Sequence, residues 1–359
     1  MFIITLSNYW TVHSQEEAKE PLAKLWNIKN DEILKYLSIE KNLSIVDNIL
    51  KPLLDDDNFG GTYINVIQNM IFINTLNFTK AEEIKTSIEI RQYISLLNFI
   101  RADNSTAKLS SRFQDIDNLA KSYKPKYCIG YINSEINNIL IASCNETRNE
   151  TSNTAFINAI NDRMYNPIFT YYNCINLSNN EIFNRKSGDI GNRILAGDGI
   201  DMDIGICSAG FLARSHQNIN YIATAGHCYN PGSYYLLPWN STMPTALIGK
   251  MQDDYLLEPI DFGLINIEYP NIQPVPSVRN TDSEQYKELP IEDIISVSSN
   301  GAHLCISGFI SHVRCGYVAA LNGFTSDGED YNNNIFVVNV RSVQGDSGGP
   351  IFSYKDLTH

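Results

Sequence analysis

The sequence predicts a protein in two parts, an α+β amino-terminal half followed by a β-rich carboxyl-terminal half. Between residue 16 and about residue 180, two stretches carry apolar residues at helical spacing and two others read as β-hairpins. After residue 193 the helical spacing is lost, and short β-rich runs alternate with Gly, Pro and Asn. Such runs predict an antiparallel barrel or sandwich. At 359 residues, the chain is long enough for two domains, each with its own core.

The two predicted helices span 82–100 and 107–123. The first aligns five apolar residues near one face: Ile84, Ile88, Leu96, Phe99 and Ile100. The second repeats the pattern through Leu109, Phe113, Ile116 and Leu119. Thr79 and Glu82 have the spacing of a capping box, so we expect the first helix to begin there.

The two predicted hairpins resemble each other. Residues 61–75 (GTYINVIQNMIFINT) and 129–143 (IGYINSEINNILIAS) are offset by 68 positions, counted from Tyr63 to Tyr131. Each is followed by a polar link and a helical pattern. We interpret this internal similarity as two small α/β subdomains in tandem. The alternative is coincidence in a chain rich in Ile and Asn.

The amino terminus and the segment between the two halves carry weaker sequence signals. Residues 1–14 begin with apolar residues but have no basic n-region, so they fit a poor or clipped signal peptide or a first strand. Residues 178–193 are polar and predict an exposed linker. We therefore divide the chain into 1–193 and 194–359.

Composition excludes several classes of partner. A formal net charge of −13 argues against nucleic acid, and no apolar run reaches the length of a membrane span. The seven cysteines include no C-x-x-C pair, so we expect no metal and no cofactor. Seven N-x-S/T sequons favour a secreted glycoprotein: Asn42, Asn77, Asn104, Asn145, Asn149, Asn176 and Asn240.

The pairing of the first three cysteines stays open at this level. We favour Cys128 with Cys144 across the second hairpin, which leaves Cys174 unpaired.

Three stretches of the β-rich half carry residues suited to acyl transfer. They are ATAGHC at 223–228, DFGLI at 261–265 and GDSGGP at 345–350. This chemistry needs an alcohol, a base for its proton, an acid that orients the base, and N–H donors for an oxyanion. The glycines permit the tight turn that exposes a serine hydroxyl.

These motifs resemble those of the chymotrypsin-like serine peptidases, and most closely the streptogrisin and alpha-lytic protease group. ICSAGFLAR, IATAGHC, DFGLINI and CISGFISHVRCGYVAALNG match segments of that group, over roughly residues 194–353. The resemblance implies a double antiparallel β-barrel at 194–359, a trypsin-like serine protease domain. It also implies that 1–193 is an α+β pro-region that assists folding.

The resemblance also implies roles for single residues. His227 is expected as the general base, Asp261 as its orienter and Ser347 as the nucleophile. The N–H groups of Gly345 and Ser347 are expected to form the oxyanion hole. The implied disulfides are Cys207–Cys228 and Cys305–Cys315.

The sequence departs from the group at two positions. Ile306 stands where the group has a basic residue beside the aspartate that precedes the serine, so Asp346 lacks its expected partner. Arg193-Ile194 resembles the activation cleavage site of animal trypsin-like enzymes, whose new terminus meets the same aspartate. The alternative is a linker arginine beside an apolar strand.

A third departure concerns length. Twelve residues follow Ser347, whereas further strands follow the serine in this family, and Arg341 holds the place of a usual cysteine. We therefore expect a truncated second barrel, open beside Ile351–Ser353, and a chain with negligible peptidase activity.

The leading hypothesis is a secreted serine endopeptidase precursor that hydrolyses polypeptide substrates and whose pro-region binds its own protease domain. One alternative is a non-catalytic protease homologue with a binding or regulatory role. Another treats residues 16–180 as a separate glycan- or protein-binding module.

Overall fold

The computed structural model describes residues 19–174 and 192–357, apart from residues 204, 240, 281, 282 and 284. The predicted leader at 1–14 and all but the end of the linker at 178–193 lie outside these residues. No helix in the described ranges is both long and apolar enough to cross a membrane.

The amino-terminal half consists of a short helix and two successive units of the same topology. The short helix is α1 (Pro21–Trp26). The first unit comprises α2 (Ile33–Leu50), β1 (Phe59–Asn65), β2 (Met70–Thr75), α3 (Phe78–Lys85) and β3 (Leu97–Arg101). The second comprises α4 (Thr106–Tyr123), β4 (Cys128–Asn133), β5 (Asn138–Cys144), α5 (Thr151–Asn161) and β6 (Ile168–Tyr172). In both, a helix precedes an antiparallel hairpin, and a crossover helix leads to a parallel third strand.

The register shows that the two hairpins are equivalent. Tyr63 pairs with Phe72 in the first, and Tyr131 pairs with Leu140 in the second. Both members of the second pair lie 68 positions beyond those of the first. The tandem α/β units predicted from the sequence are therefore confirmed.

One predicted helix is wrong over most of its length. The stretch 82–100 contains the end of α3, a 3₁₀ segment at Arg91–Leu96 and strand β3. The helix ends at Thr86, whose hydroxyl donates to the carbonyl of Glu83 at 2.7 Å. The helical spacing of apolar residues could not show that two of them, Phe99 and Ile100, belong to a strand beside β2.

The start of α3 also differs from the expectation. Asn77, not the pair Thr79 and Glu82, caps the helix, because its side chain accepts hydrogen bonds from the N–H groups of Thr79 and Lys80. The predicted helix at 107–123 is confirmed as α4, which buries Leu109, Phe113 and Ile116.

The described carboxyl-terminal residues form fourteen strands with no helix longer than one turn. Strands β7 to β13 are Arg193–Ala196, Gly199–Met202, Gly205–Ser208, Leu212–Arg214, Asn220–Thr224, Tyr234–Leu237 and Ala246–Gly249. Strands β14 to β20 are Gly263–Asn266, Gln273–Arg279, Glu288–Pro290, His303–Gly308, His312–Ser326, Tyr331–Val338 and Ile351–Phe352. The predicted β-rich half is thus confirmed.

Strands β8 to β14 curl around one apolar core. The sheets β13-β12-β8-β9 and β10-β11-β14 are joined by backbone hydrogen bonds, such as Asn266 N–H to the Lys250 carbonyl at 2.8 Å. On the other side, β9 continues directly into β10. The ring of strands therefore encloses its core, which includes Ile222, Tyr234, Leu236 and Ile265.

The second group of strands forms an open sheet that continues into the amino-terminal half. Its order is β20-β17-β18-β4-β5-β6, and β19 pairs with β18. In the register, Phe324 of β18 lies opposite Gly130 of β4, where a Cβ on the glycine would stand 2.3 Å from the phenylalanine ring. A glycine is thus required for the strand to pass under that ring.

The first two helices share a core with the second group of strands. Trp26 of α1 and Leu43 of α2 belong to the same buried cluster as Cys305, Phe309 and Tyr354. The apolar faces of the amino-terminal helices are therefore covered by the carboxyl-terminal half, and burial of apolar surface holds the two halves together.

A buried hydrogen-bonded pair crosses this shared core. Glu40 of α2 accepts from the N–H of His303 at 2.7 Å and from its Nδ1 at 2.5 Å. The other ring nitrogen, Nε2, accepts from the N–H of Tyr354 at 3.0 Å. His303 is 2% exposed. Through these hydrogen bonds its imidazole connects α2, β17 and the segment after β20.

The disulfide favoured within the amino-terminal half is wrong. Cys144 is bonded to Cys174, and Cys128 is a buried free thiol. In the hairpin, Cys128 lies opposite Ser143, so Cys144 points to the other face of the sheet. Cys144 pairs in register with Tyr172, two residues before Cys174, which brings the two sulfurs to one face.

The corrected pairing predicts the thiol chemistry of the intact chain. Burial raises the pKa of the Cys128 thiol to about 12, so a thiol reagent should leave the folded protein unmodified and titrate one thiol after unfolding without reductant. Cys128→Ala should remove that thiol, and Cys174→Ala should add a second one. A cross-linked peptide joining Cys128 to Cys144 would show that the assignment is wrong.

The Glu40–His303 pair predicts a loss of stability on substitution. Glu40→Ala leaves two buried donors of His303 without an acceptor, so we expect the free energy of unfolding to fall by about 3 kcal/mol. Urea unfolding can be followed by the fluorescence of Trp26, whose ring lies 5.6 Å from that of His303. Glu83→Ala, which removes an exposed ion pair with Lys80, is the control and should have little effect. Equal effects of both substitutions would contradict the role of the buried pair.

Candidate active site

Strand pairing brings His227 and Asp261 together. In the antiparallel pair β11 and β14, Thr224 lies opposite Gly263. His227 follows Thr224 by three residues in a short 3₁₀ turn, and Asp261 precedes Gly263 by two. Both side chains therefore leave the sheet at the same end, on adjacent strands.

Two hydrogen bonds fix the imidazole against the carboxylate. The N–H of His227 donates to Asp261 Oδ1 at 2.9 Å, and His227 Nδ1 lies 2.5 Å from Asp261 Oδ2. Because an ionised carboxylate only accepts, the proton of the neutral ring is on Nδ1. Nε2 is then left with a free lone pair, which is the tautomer that a general base needs.

The charges of the pair shift both pKa values. The hydrogen bond that the His227 ring donates to Asp261 raises the pKa of His227, against an opposite effect of partial burial. Burial by itself raises the pKa of Asp261, but the hydrogen bonds from the ring and the backbone of His227 outweigh it. The pKa of Asp261 therefore lies below its ordinary value.

An acidic hairpin tip also acts on His227. Asp327 and Asp330, between β18 and β19, add to the negative potential that raises the pKa of the imidazole. The hairpin is tied to the loop before Asp261, because Tyr331 N–H donates to Glu258 Oε1 at 2.6 Å. No motif in the sequence marks these acids, which lie more than sixty residues away from Asp261 along the chain.

The Ser347 loop packs directly against the strand that leads to His227. Gly345 and Gly348 have φ values of +101° and +82°, which favour glycine. A Cβ on Gly348 would stand 2.0 Å from Thr224 Oγ1 and 2.8 Å from Ala225 N, so a larger residue could not approach this closely. The close contact places the serine loop beside the histidine turn.

The structure does not join Ser347 to His227 by a hydrogen bond. The Ser347 hydroxyl makes no hydrogen bond to any residue in the described ranges. Within the same ranges, the N–H groups of Gly345 and Ser347 donate to no protein acceptor. One alcohol and two N–H donors of the loop therefore have no partner among the described residues.

Asp346 has partners other than the expected base or terminal amine. It is 2% exposed, and its carboxylate accepts from the N–H groups of Ile310, Ser311 and Val343 at 3.1, 2.8 and 2.9 Å. As expected from Ile306, no basic side chain among the described residues pairs with Asp346, and backbone N–H groups take that place. Backbone donors satisfy this carboxylate, and such donors leave no trace in the sequence.

Two disulfides brace the site. Cys207 is bonded to Cys228, next to His227, and ties β9 to the histidine turn. Cys305 is bonded to Cys315, its register partner in the β17–β18 hairpin. Both pairings agree with those implied by the resemblance.

The Arg193-Ile194 bond lies within strand β7, which pairs in parallel with β15. Arg193 forms a bidentate ion pair with Glu288, at 2.9 and 2.8 Å. Ile194 is 1% exposed and belongs to the core that strands β8 to β14 enclose, the first barrel. Cleavage here would require β7 to separate from β15. Activation at this bond stays a prediction.

Two groups of described residues are close enough to share a metal ion: Cys207, His227 and Cys228, and Cys144, Glu146 and Cys174. In both groups the two sulfurs are joined in a disulfide, so neither offers a thiolate.

No protein-family model and no curated protein matches this sequence. The structure is similar to that of Thermobifida fusca Protease A, at 21% identity and a TM-score of 0.38, over 45% of this chain and 78% of that chain. It is similar to that of Nocardiopsis protease, at 20% identity and a TM-score of 0.35, over 45% and 79%. A third structure, titled as a glutamic acid specific serine protease with a histidine triad in substrate binding, shares 24% identity and a TM-score of 0.38, over 45% and 80%.

All three titles name proteases, and the third names a serine protease. Every TM-score lies below 0.5 and every identity below 25%. The likenesses therefore concern the fold and carry no weight for function.

The His227–Asp261 pair predicts how the imidazole titrates. Asp261→Asn removes the negative charge that stabilises the imidazolium, so the pKa of His227 should fall. The neutral base would then persist to lower pH. NMR of isotope-labelled histidine measures this pKa, and Asp254→Asn, an exposed carboxylate in the same loop, is the control that should not change it. An unchanged His227 pKa in Asp261→Asn would contradict the assigned pairing.

Proposed function

We propose that this protein is a serine-type peptidase that hydrolyses polypeptide substrates with Ser347 as nucleophile, His227 as general base and Asp261 as its orienter. The observation that carries the proposal is the doubly hydrogen-bonded His227–Asp261 pair beside a serine loop, two of whose N–H groups have no acceptor among the described residues. A histidine without a catalytic role does not require an orienting carboxylate, a neighbouring alcohol and N–H donors together, whereas acyl transfer requires all of them.

The proposed reaction runs in two halves. Ser347 Oγ attacks the peptide carbonyl while its proton passes to His227 Nε2, and the carbonyl oxygen becomes an anion that accepts from the N–H groups of Gly345 and Ser347. The C–N bond then breaks, and the departing amine takes the proton from Nε2. Water cleaves the resulting ester by the same route. The hydrogen bond missing between Ser347 and His227 has to form when substrate binds, as is common at such sites.

We propose that residues 1–193 act as a pro-region for the following domain. Three contacts support this role: the shared core of α1 and α2, the Glu40–His303 pair, and the continuous sheet through β18 and β4. Each supplies the carboxyl-terminal half with partners that its own strands do not provide. The alternative of a separate binding module predicts few contacts between the halves.

We also propose that the protein is secreted. Three disulfides among the described residues are typical of an oxidising compartment. Of the sequon asparagines, Asn42, Asn145 and Asn149 are exposed, as glycosylation requires.

Reaction with a fluorophosphonate probe tests the catalytic assignment. We expect the probe to modify Ser347 in the full chain, as identified by mass spectrometry of peptides. His227→Ala should slow this reaction by about a thousandfold or more, because the hydroxyl loses its base.

Two serine variants make the test specific. Ser347→Ala should abolish labelling, whereas Ser342→Ala, which removes an exposed hydroxyl of the same segment, should leave it unchanged. No labelling of the unsubstituted chain would favour a non-catalytic homologue. Labelling that persists in Ser347→Ala would refute the nucleophile assignment.

A further inference from the structure

Ser208 is a buried residue that connects the segments of the candidate site. It follows Cys207 at the end of β9 and is 0% exposed. Its hydroxyl donates to the carbonyl of Gly345 at 2.7 Å and accepts from Phe309 N–H at 2.9 Å. Its own N–H donates to the carbonyl of Ser347 at 2.7 Å. The hydrogen-bonding capacity of the hydroxyl is thus directed at the serine loop and the turn behind it.

These contacts fix the loop at two points. The carbonyls of Gly345 and Ser347 both face Ser208, while the N–H groups of the same two residues donate to no acceptor in the described part of the chain. Holding both carbonyls restricts rotation of the peptide planes between them, including the plane that carries the N–H of Ser347. Gly345 has φ of +101° and lacks a Cβ, so without such an anchor its peptide planes could rotate easily.

The loop is held from its other side as well. Phe309, which donates to Ser208, begins the turn whose next two N–H groups, of Ile310 and Ser311, donate to Asp346. The segment from Gly345 to Ser347 therefore lies between Ser208 and this turn, with a hydrogen bond to each.

Ser208 is also connected to the strand that carries the base. Its carbonyl accepts from Thr224 Oγ1 at 3.0 Å, and Thr224 lies three residues before His227. Thr224 is paired with Gly263, two residues after Asp261. One residue thus links the proposed nucleophile loop to the strands of the proposed base and its orienter.

We propose that Ser208 is a positioning residue whose hydroxyl holds the Gly345 carbonyl, so that the N–H groups of Gly345 and Ser347 face the substrate's carbonyl oxygen. This proposal rests on the proposed function and names the residue that orients the N–H donors for it. Ser208 touches neither substrate nor reacting atoms; it acts through the loop.

Substitution of Ser208 tests this role. Ser208→Ala removes both bonds of the hydroxyl but keeps the backbone bond to Ser347. We expect the maximal rate of fluorophosphonate labelling to fall at least about tenfold, because the oxygen of the phosphonylated adduct needs the same N–H donors. The concentration of probe that gives half of that rate should stay unchanged, and so should the pKa of His227.

Ser307→Ala is the matched control. Ser307 is also 0% exposed, and its hydroxyl donates to a backbone carbonyl at 2.8 Å, but that carbonyl belongs to Arg279, outside the serine loop. We expect labelling of this variant at the unsubstituted rate. Thr224→Val is a second variant for the case that Ser208→Ala does not fold. It removes the bond to the Ser208 carbonyl and should lower the labelling rate by a smaller factor, without a change in the pKa of His227.

The outcomes distinguish the positioning role of Ser208 from the proposed peptidase function. If Ser208→Ala labels as fast as Ser307→Ala, or if it does not fold and Thr224→Val keeps the unsubstituted rate, the positioning role is refuted and the proposed function stands. A fall in rate with an equal effect of Ser307→Ala, or with a shifted His227 pKa, would indicate a general structural role and also refute it. If the unsubstituted chain is not labelled, both proposals fail.

Discussion

The hydrogen bonds between His227 and Asp261 depend on the register of β11 and β14. With Thr224 opposite Gly263, the turn after one strand meets the residue just before the other. A shift of one residue would send the side chains to opposite faces and separate them. The Cys207–Cys228 bond and the closed ring of the first barrel hold that register. The proposed base is therefore positioned by a disulfide-linked turn and by strands that close around their own core.

The serine loop depends on a different set of contacts, and these reach the amino-terminal half. Asp346 is held by the turn after β17, and β17 carries His303, whose ring is bonded to Glu40 of α2. The same turn contributes Phe309 to the core that α1 and α2 share. The amino-terminal helices thus support the elements on which the loop rests, without a contact to the proposed catalytic side chains. These contacts support the proposed role of the amino-terminal half as a pro-region.

The parts predicted well from the sequence are those with a local pattern. The equivalent hairpins, helix α4 and the β-rich half each had periodicity or turn residues to indicate them. The predictions that failed concern segments whose structure depends on a partner far away along the chain. Strand β3 forms because β2 offers an edge, and Cys144 meets Cys174 because β6 lies beside β5. The partners of Asp346 and the position of Ser208 involve backbone groups, which no residue type reveals. The Ser347 motif could indicate a nucleophile but not the missing hydrogen bond to His227.

The central claim is that Ser347, His227 and the loop N–H groups converge on one reacting atom. A crystal structure of the full chain after reaction with a fluorophosphonate tests it most directly. The account predicts phosphorus bonded to Ser347 Oγ, a phosphoryl oxygen about 3 Å from the nitrogens of Gly345 and Ser347, and His227 Nε2 about 3 Å from an oxygen of the adduct. An adduct on another residue, or a phosphoryl oxygen turned away from both N–H groups, would contradict it.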